Sequence, residues 1–200
     1  ERAQFLRGLD RLLLDLLDQP RFVHELLDTI CAYNLATLRE MAQFRPDGVF
    51  LSDDYGLQRS LMMSPRDWRM FIRPRLQVLF AEAKRHGFTT MLHSCGNVSE
   101  IIPDLVDLGL DILHPIQPEA MDGATLKREF GRDLTFCGGL NTQQLLPHGT
   151  PDEVRAEVRR LGDEMGRGGG YILEPGITVQ ADVPLENLLA AIAAARAYRR

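Results

Sequence analysis

The segment Thr89–Asn97, TTMLHSCGN, joins a short apolar run of strand type to a histidine and a cysteine two residues apart. Side chains at positions i and i+2 of a strand point to the same side, so the imidazole of His93 and the thiol of Cys95 can converge on one point. Neutral imidazole and thiolate are ligands that suit zinc. Gly96 then frees the backbone and Asn97 can start a helix. The segment predicts a strand followed by a helix, with half of a metal site between them.

The same pattern of an apolar run and then a helical period repeats on both sides of this segment. Strands are predicted at 49–51, 89–93, 111–114, 134–137 and 171–174. Helices are predicted at about 6–17, 20–44, 64–86, 98–108, 123–130, 150–165 and from 184 to the end of the chain. Repeated strand–helix units predict a parallel sheet.

The chemically interesting side chains nearly all come directly after a predicted strand. In a (β/α)8 barrel the active site lies at that carboxyl end of the strands. An open doubly wound sheet also binds ligands there, but no strand here leads into a G-x-G-x-x-G turn. The sequence therefore predicts an α/β fold of the (β/α)8 TIM-barrel type, here its later units. The residues concerned are Asp53, Asp54, Tyr55, His93, Cys95, His114, Gln117, Asn141 and Glu174.

Composition excludes several classes of protein. The chain of 200 residues has a net charge of −5 and no basic cluster, which argues against a nucleic-acid partner or an anionic membrane surface. No apolar run approaches the roughly 20 residues that cross a bilayer, and no secretion signal opens the sequence. The three cysteines, Cys31, Cys95 and Cys137, are too few and too widely spaced for a disulfide framework, so a cytoplasmic location is expected.

Each candidate residue also has a structural interpretation. His93 and Cys95 could be a hydrogen-bonded core imidazole beside a small apolar thiol, and the two aspartates could cap a solvated turn. Asp53 and Asp54 are consecutive, so only one of them is expected to face the site as proton donor, substrate anchor or metal ligand. Tyr55 could act as a lid or donate its hydroxyl.

The third metal ligand is open at this point. Glu174 ends an apolar strand, so its carboxylate either pairs with a cation or serves as the third zinc ligand. Cys137 is another candidate, but its place within an apolar strand favours a core role. His114 precedes Pro115 at a strand end, where a structural role is slightly favoured.

Five short motifs, in matching order, resemble those of the uroporphyrinogen decarboxylase superfamily. They read HSCGN, PDL, DIL, GGLNTQ and QADVPLEN and lie at 93–97, 103–105, 111–113, 138–143 and 180–187. The resemblance covers the chain from about residue 45 onward. It implies one barrel domain over residues 1–200, formed by the C-terminal portion of a longer barrel whose N-terminal portion precedes Glu1.

The resembling superfamily has two functional branches. One decarboxylates the acetate arms of uroporphyrinogen without a metal or cofactor. The other transfers methyl groups with thiols or corrinoid proteins, and there a His-x-Cys pair and a later ligand hold a thiol-activating zinc ion. His93 and Cys95 match that pair. The later ligand is usually a cysteine, but the loop 174–178 reads EPGIT, so Glu174 is the expected replacement; the decarboxylases' histidine near Ile177 is absent too.

Three hypotheses follow. The first is a zinc-assisted methyltransferase that acts on a small-molecule substrate with a thiol or a corrinoid partner protein. The second is uroporphyrinogen decarboxylase itself, with Asp53, Tyr55 and His93 near the tetrapyrrole. The third is a non-catalytic barrel that binds a corrinoid protein or a small ligand. By the same resemblance a homodimer is expected.

The first hypothesis assigns a role to each candidate residue. Catalysis is assigned to Asp53, Asp54 and Tyr55, and substrate binding to Asn141, Gln117 and His114. The metal is assigned to His93, Cys95 and Glu174, with Asp54 as the alternative third ligand.

Overall fold

Five parallel strands in sequential order form the sheet of the computed structural model, which describes residues 1–198. The strands are Gly48–Ser52 (β1), Thr89–His93 (β2), Ile112–Ile116 (β3), Thr135–Leu140 (β4) and Tyr171–Pro175 (β5). Each strand pairs in parallel with the next. This order is that of consecutive units of a (β/α)8 barrel, whereas a doubly wound sheet reverses its strand order at a switch point. The predicted fold class is confirmed.

Helices precede the sheet and follow its strands. They are Arg2–Arg7 (α1), Leu9–Asp18 (α2), Pro20–Met41 (α3), Pro65–Asp67 (α4), Arg73–Arg85 (α5), Ile102–Asp107 (α6), Gly123–Phe130 (α7), Leu145–His148 (α8), Pro151–Glu164 (α9) and Leu185–Ala197 (α10). None of the helices in the described part of the chain is long and apolar enough to cross a membrane. The predicted last helix would reach residues 199–200, which lie outside the described residues.

Local chemistry explains most helix boundaries. The side chain of Ser64 accepts a hydrogen bond from the backbone of Asp67 and so begins α4. A π-helical turn at Trp68–Ile72 links α4 to α5, where the sequence predicted one continuous helix. Thr150 and Glu153 form a reciprocal capping box at the start of α9. These two caps begin helices that follow β1 and β4.

Two further predicted elements differ from the structure. The predicted helix 6–17 is interrupted at Gly8, whose φ of 84° is left-handed and separates α1 from α2. The predicted strand 134–137 continues to Leu140, because the glycines after it keep pairing with β5. The short helix α8 was not predicted.

The two faces of the sheet have different environments. Leu92, Leu113 and Phe136 are register partners with no exposed surface, and they face the helices. The alternate residues face the other way and form the inner face, where Phe50 on β1 is 56% exposed and Ile172 on β5 is 42% exposed. The predicted site residues of β2 to β5 lie on this inner face, which is the lumen side of a barrel.

Candidate metal centre

The inner face brings most of the predicted site residues together at the carboxyl ends of the strands. His93 is the last residue of β2, and its register partner His114 lies within β3. Glu174 lies near the end of β5. Asp54 and Cys95 stand in the loops that follow β1 and β2. Because parallel strands end at one edge of the sheet, these five side chains share one site.

Asp54, His93 and Cys95 form a first ligand group. Nε2 of His93 lies 3.4 Å from Sγ of Cys95 and 3.4 Å from Oδ1 of Asp54. All three ligand atoms lie within 4.8 Å of one another. Atoms bound to one tetrahedral zinc ion are about 3.3–3.7 Å apart, given zinc–ligand bonds of about 2.0–2.3 Å. The two distances from Nε2 of His93 therefore fit a zinc site.

The first ligand group is held by the backbone and by charge. The backbone N–H of Cys95 donates to Oδ1 of Asp54 at 2.8 Å, which fixes the carboxylate beside the thiol. The hydrogen bond from His93 holds the pKa of Asp54 below its usual range. Hydrogen bonds to Asp54 and then to Cys95 raise the pKa of His93 to about 10. Without a metal ion, His93 is thus an imidazolium at neutral pH, paired with the Asp54 carboxylate.

His114, Cys137 and Glu174 form a second ligand group. Sγ of Cys137 donates to Oε2 of Glu174 at 2.9 Å, and Nε2 of His114 lies 3.4 Å from the same oxygen. These ligand atoms also lie within 4.8 Å of one another. Burial raises the pKa of the Cys137 thiol and lowers the pKa of His114, so both are neutral before any ion binds. Glu174 was predicted to complete the His93–Cys95 pair, but its contacts lie within this second group.

The two ligand groups meet at their histidines. Nδ1 of His93 lies 2.8 Å from Nδ1 of His114. The ring of Phe50 is in a T-shaped arrangement with each imidazole, at centroid distances of 6.1 Å to His93 and 5.4 Å to His114. Phe50 was missed by the sequence analysis. Its position two residues before Ser52, at the end of the same strand, is the sequence signal that would have placed both side chains on one face.

Asp53 and Tyr55 form a separate pair beside the first ligand group. The buried Tyr55 hydroxyl donates to Oδ2 of Asp53 at 3.1 Å. Burial raises the pKa of Tyr55, so its hydroxyl stays protonated as a donor. Tyr55 therefore supports Asp53 from the core and is not a mobile lid, and the two consecutive aspartates have different partners.

Gln117 and Asn141 make local contacts. The buried Gln117 accepts a hydrogen bond from the backbone N–H of Gly96 at 3.2 Å. Oδ1 of Asn141 accepts from the backbone N–H groups of Gln144 and Leu145 at 2.7 and 3.0 Å, at the start of α8. Both side chains thus shape loops at the carboxyl edge of the sheet. Their role in substrate binding stays a prediction.

A contact between two glycines fixes the loop that carries Cys95. A Cβ atom on Gly96 would lie 2.6 Å from the carbonyl carbon of Gly56, and one on Gly56 would lie 2.5 Å from the carbonyl oxygen of Cys95. The φ of Gly96 is +77°. The loops after β1 and β2 therefore touch backbone to backbone, and this close approach lets Asp54 reach the Cys95 amide.

Comparison with known proteins agrees with the resemblance seen in the sequence. The family model described as uroporphyrinogen decarboxylase (URO-D) matches residues 3–198. A methylcobamide:CoM methyltransferase of Methanosarcina barkeri is 31% identical over 137 residues, which are 68% of this chain and 38% of that protein. A methylated-thiol–coenzyme M methyltransferase of Methanosarcina mazei is 26% identical over 177 residues, 88% of this chain and 45% of that protein. The uroporphyrinogen decarboxylase of Psychromonas ingrahamii is 25% identical over 177 residues, 84% of this chain and 46% of that protein.

A solved structure supports the same grouping. A methyltransferase from Methanosarcina mazei superimposes with a TM-score of 0.79 and 25% sequence identity. The match covers 97% of this chain and 55% of that chain. The chain thus spans about half the length of the relatives that it matches.

Proposed function

Because the chain belongs to the uroporphyrinogen decarboxylase family, we propose that it carries out the kind of methyl transfer named in its methyltransferase relatives. The proposed reaction is zinc-assisted and moves a methyl group between a corrinoid partner protein and a small thiol. One observation carries the proposal: at the carboxyl edge of the sheet, Oδ1 of Asp54 and Sγ of Cys95 each lie 3.4 Å from Nε2 of His93, and all three atoms are within 4.8 Å of one another.

The chain's own residues would bind and orient the thiol. A zinc ion in the first ligand group supplies a Lewis acid that lets a thiol lose its proton near neutral pH. Asp54, His93 and Cys95 leave one tetrahedral position for the substrate sulfur. Phe50, with 56% of its surface exposed beside the histidines, offers an apolar surface for the methyl group.

The transfer has a simple balance of bonds and charge. A carbon–sulfur bond forms while the bond between the methyl carbon and the corrinoid cobalt breaks, and the electron pair of that bond stays on cobalt. The thiol releases one proton. We assign its acceptance to Asp53, the carboxylate next to the first ligand group, which Tyr55 holds in place.

The test is an activity assay on the purified full-length protein loaded with zinc. Methylcobalamin would serve as the methyl donor, with coenzyme M and other small thiols as acceptors, and loss of its absorption would report transfer. Removal of zinc by a chelator should stop the reaction, and Cys95→Ala should lower the rate at least about 100-fold. Cys31→Ala is the matched control, because Cys31 is a buried free cysteine outside both ligand groups. A zinc-loaded protein that transfers no methyl group to any thiol would contradict the proposal.

Uroporphyrinogen decarboxylation is the second candidate. It is supported by the similarity to the Psychromonas ingrahamii decarboxylase and by the Asp53–Tyr55 pair, which places a supported carboxylate at the carboxyl edge of the sheet without any metal. This reaction predicts release of carbon dioxide from uroporphyrinogen by the chelator-treated protein. Asp53→Asn should abolish that release, and Cys95→Ala should leave it largely intact. No release from uroporphyrinogen would exclude this candidate.

A further inference from the structure

We propose that His114, Cys137 and Glu174 form a second site for a thiophilic divalent cation such as zinc, and that this site and the first ligand group exclude each other. The inference rests on the proposed function in one respect, because it takes Asp54, His93 and Cys95 as the first zinc site. It assigns a different role to the second ligand group: an alternative place for the ion on the same inner face.

The second ligand group has the donor set and the spacing that zinc requires. It offers one imidazole, one thiol and one carboxylate, which together suit zinc better than calcium or magnesium. The distance from Oε2 of Glu174 is 2.9 Å to Sγ of Cys137 and 3.4 Å to Nε2 of His114, so small adjustments reach tetrahedral spacing. The three residues stand on three neighbouring strands, which fixes their relative positions.

Cys137 belongs to this group and not to the core that the helices cover. Its strand neighbour Phe136 points to the helices and has no exposed surface. Cys137 points to the opposite face, where its Sγ atom donates to Glu174. The 1% exposure of Cys137 agrees with the buried role that the apolar strand pattern favoured, and the contact of its thiol with Glu174 adds a polar partner. The thiol itself is buried, but the Glu174 side chain is 47% exposed and gives an ion a path from the inner face.

The contact between the histidines makes the two sites exclusive. Nδ1 of His93 and Nδ1 of His114 share one hydrogen across 2.8 Å. An ion in the first group takes the Nε2 lone pair of His93, so His93 carries its hydrogen on Nδ1 and donates it to His114. His114 must then carry its own hydrogen on Nε2, where it faces Glu174 and cannot bind an ion. Binding at both sites would put a hydrogen on each Nδ1 atom, and the 2.8 Å contact between these atoms has room for only one.

Metal stoichiometry on four forms of the full-length protein tests the proposal. The forms are the wild type, Asp54→Asn/Cys95→Ala, Cys137→Ala/Glu174→Gln, and the combination of all four substitutions. Equilibrium dialysis against zinc should give one, one, one and no ion per chain. With cobalt(II) as the probe, Asp54→Asn/Cys95→Ala should keep a thiolate-to-cobalt absorption band, and the combined variant should lose it. Cys31→Ala should match the wild type throughout.

The other outcomes are distinct. Two ions in the wild type would overturn the exclusion. No ion in Asp54→Asn/Cys95→Ala, with one ion in Cys137→Ala/Glu174→Gln, would overturn the second site and leave the proposed function standing. Loss of the ion only in Cys137→Ala/Glu174→Gln would remove the metal site of the proposed function and keep the second site. If the combined variant does not fold, Cys95→Ala/Cys137→Ala answers the same question, because the cobalt band requires a thiolate.

Discussion

His93 and His114 join two carboxylates into one hydrogen-bonded chain. Their Nδ1 atoms are 2.8 Å apart, and each Nε2 atom lies 3.4 Å from a carboxylate oxygen, that of Asp54 or that of Glu174. Three such contacts need three hydrogens on four ring nitrogens, so one ring is charged and the other neutral. The pKa values point to His93 as the charged ring, since its pKa is raised while burial lowers the pKa of His114. A metal ion in the first ligand group replaces one of these hydrogens.

The role of His114 as hydrogen-bond acceptor for His93 gives the first prediction. In a Cys137→Ala background, which disables the second group, His114→Asn should keep zinc affinity close to that of the background, because its amide oxygen can take the place of Nδ1. His114→Phe should lower zinc affinity by about 10–100-fold, as is typical when the partner of a ligating histidine is lost. Competition with a zinc chelator measures both affinities. Equal affinities for the two variants would contradict the prediction.

The Gly56–Gly96 contact gives a prediction about stability. Gly96→Ala should destabilise the protein by about 1–3 kcal/mol more than Gly87→Ala, because the added methyl group collides with the Gly56 backbone. Gly87 is the matched control: its φ is +75°, close to the +77° of Gly96, but nothing lies within 4 Å of the position that an added methyl group would take. Urea unfolding of both variants measures the difference. Equal free energies of unfolding would show that the glycine contact does not matter.

The sequence predicted the positions of the strands better than the contacts between side chains on neighbouring strands. The apolar runs marked the five strands of the described residues, and the i, i+2 spacing put His93 and Cys95 on one side. Periodicity gives the face of a strand but not its register with a neighbour. Glu174 was therefore assigned to the His93–Cys95 pair, although register places it opposite Gly139 and beside Cys137.

Three further differences between the predictions and the structure have separate physical causes. Gly8 reads as a tolerated residue within a helical pattern, but its left-handed φ splits that pattern into two helices. Cys137 lies in a strand whose residues are all buried except the half-buried Thr135, so alternation could not show which face the thiol takes. Phe50 looks like core in an apolar strand, yet its side chain lies on the inner face beside His93 and His114.

Asn187 ties α10 to the segment that carries α8. Its side-chain amide is buried and donates to the carbonyl oxygens of Leu146 and Gly149 at 2.9 and 2.7 Å. Asn187→Ala should lower the free energy of unfolding by about 1–3 kcal/mol, because two carbonyl groups lose their donor. Leu189→Ala on the same helix is the control, since Leu189 is 55% exposed and should change stability by about 0.5 kcal/mol or less. A similar small change in both variants would argue against a stabilising role for the two Asn187 hydrogen bonds.

The Asp54–His93 ion pair predicts how the stability of the metal-free protein depends on pH. The pKa of His93 rises from 6.5 to about 10 on folding, so its contribution is complete below about 6.5 and is lost as the pH rises through about 10. The pKa of Asp54 falls below 3.8, so its contribution is present above that value and is lost at lower pH. In the presence of a chelator, the loss of stability caused by Asp54→Asn should therefore be largest between the ordinary pKa of the aspartate, 3.8, and that of the histidine, 6.5. It should shrink steadily toward pH 10.

Asp152→Asn is the control, because Asp152 is an exposed carboxylate paired with Arg155, which stays charged across this range. Urea unfolding at a series of pH values measures both differences, and a constant or growing effect of Asp54→Asn above pH 6.5 would refute the ion pair.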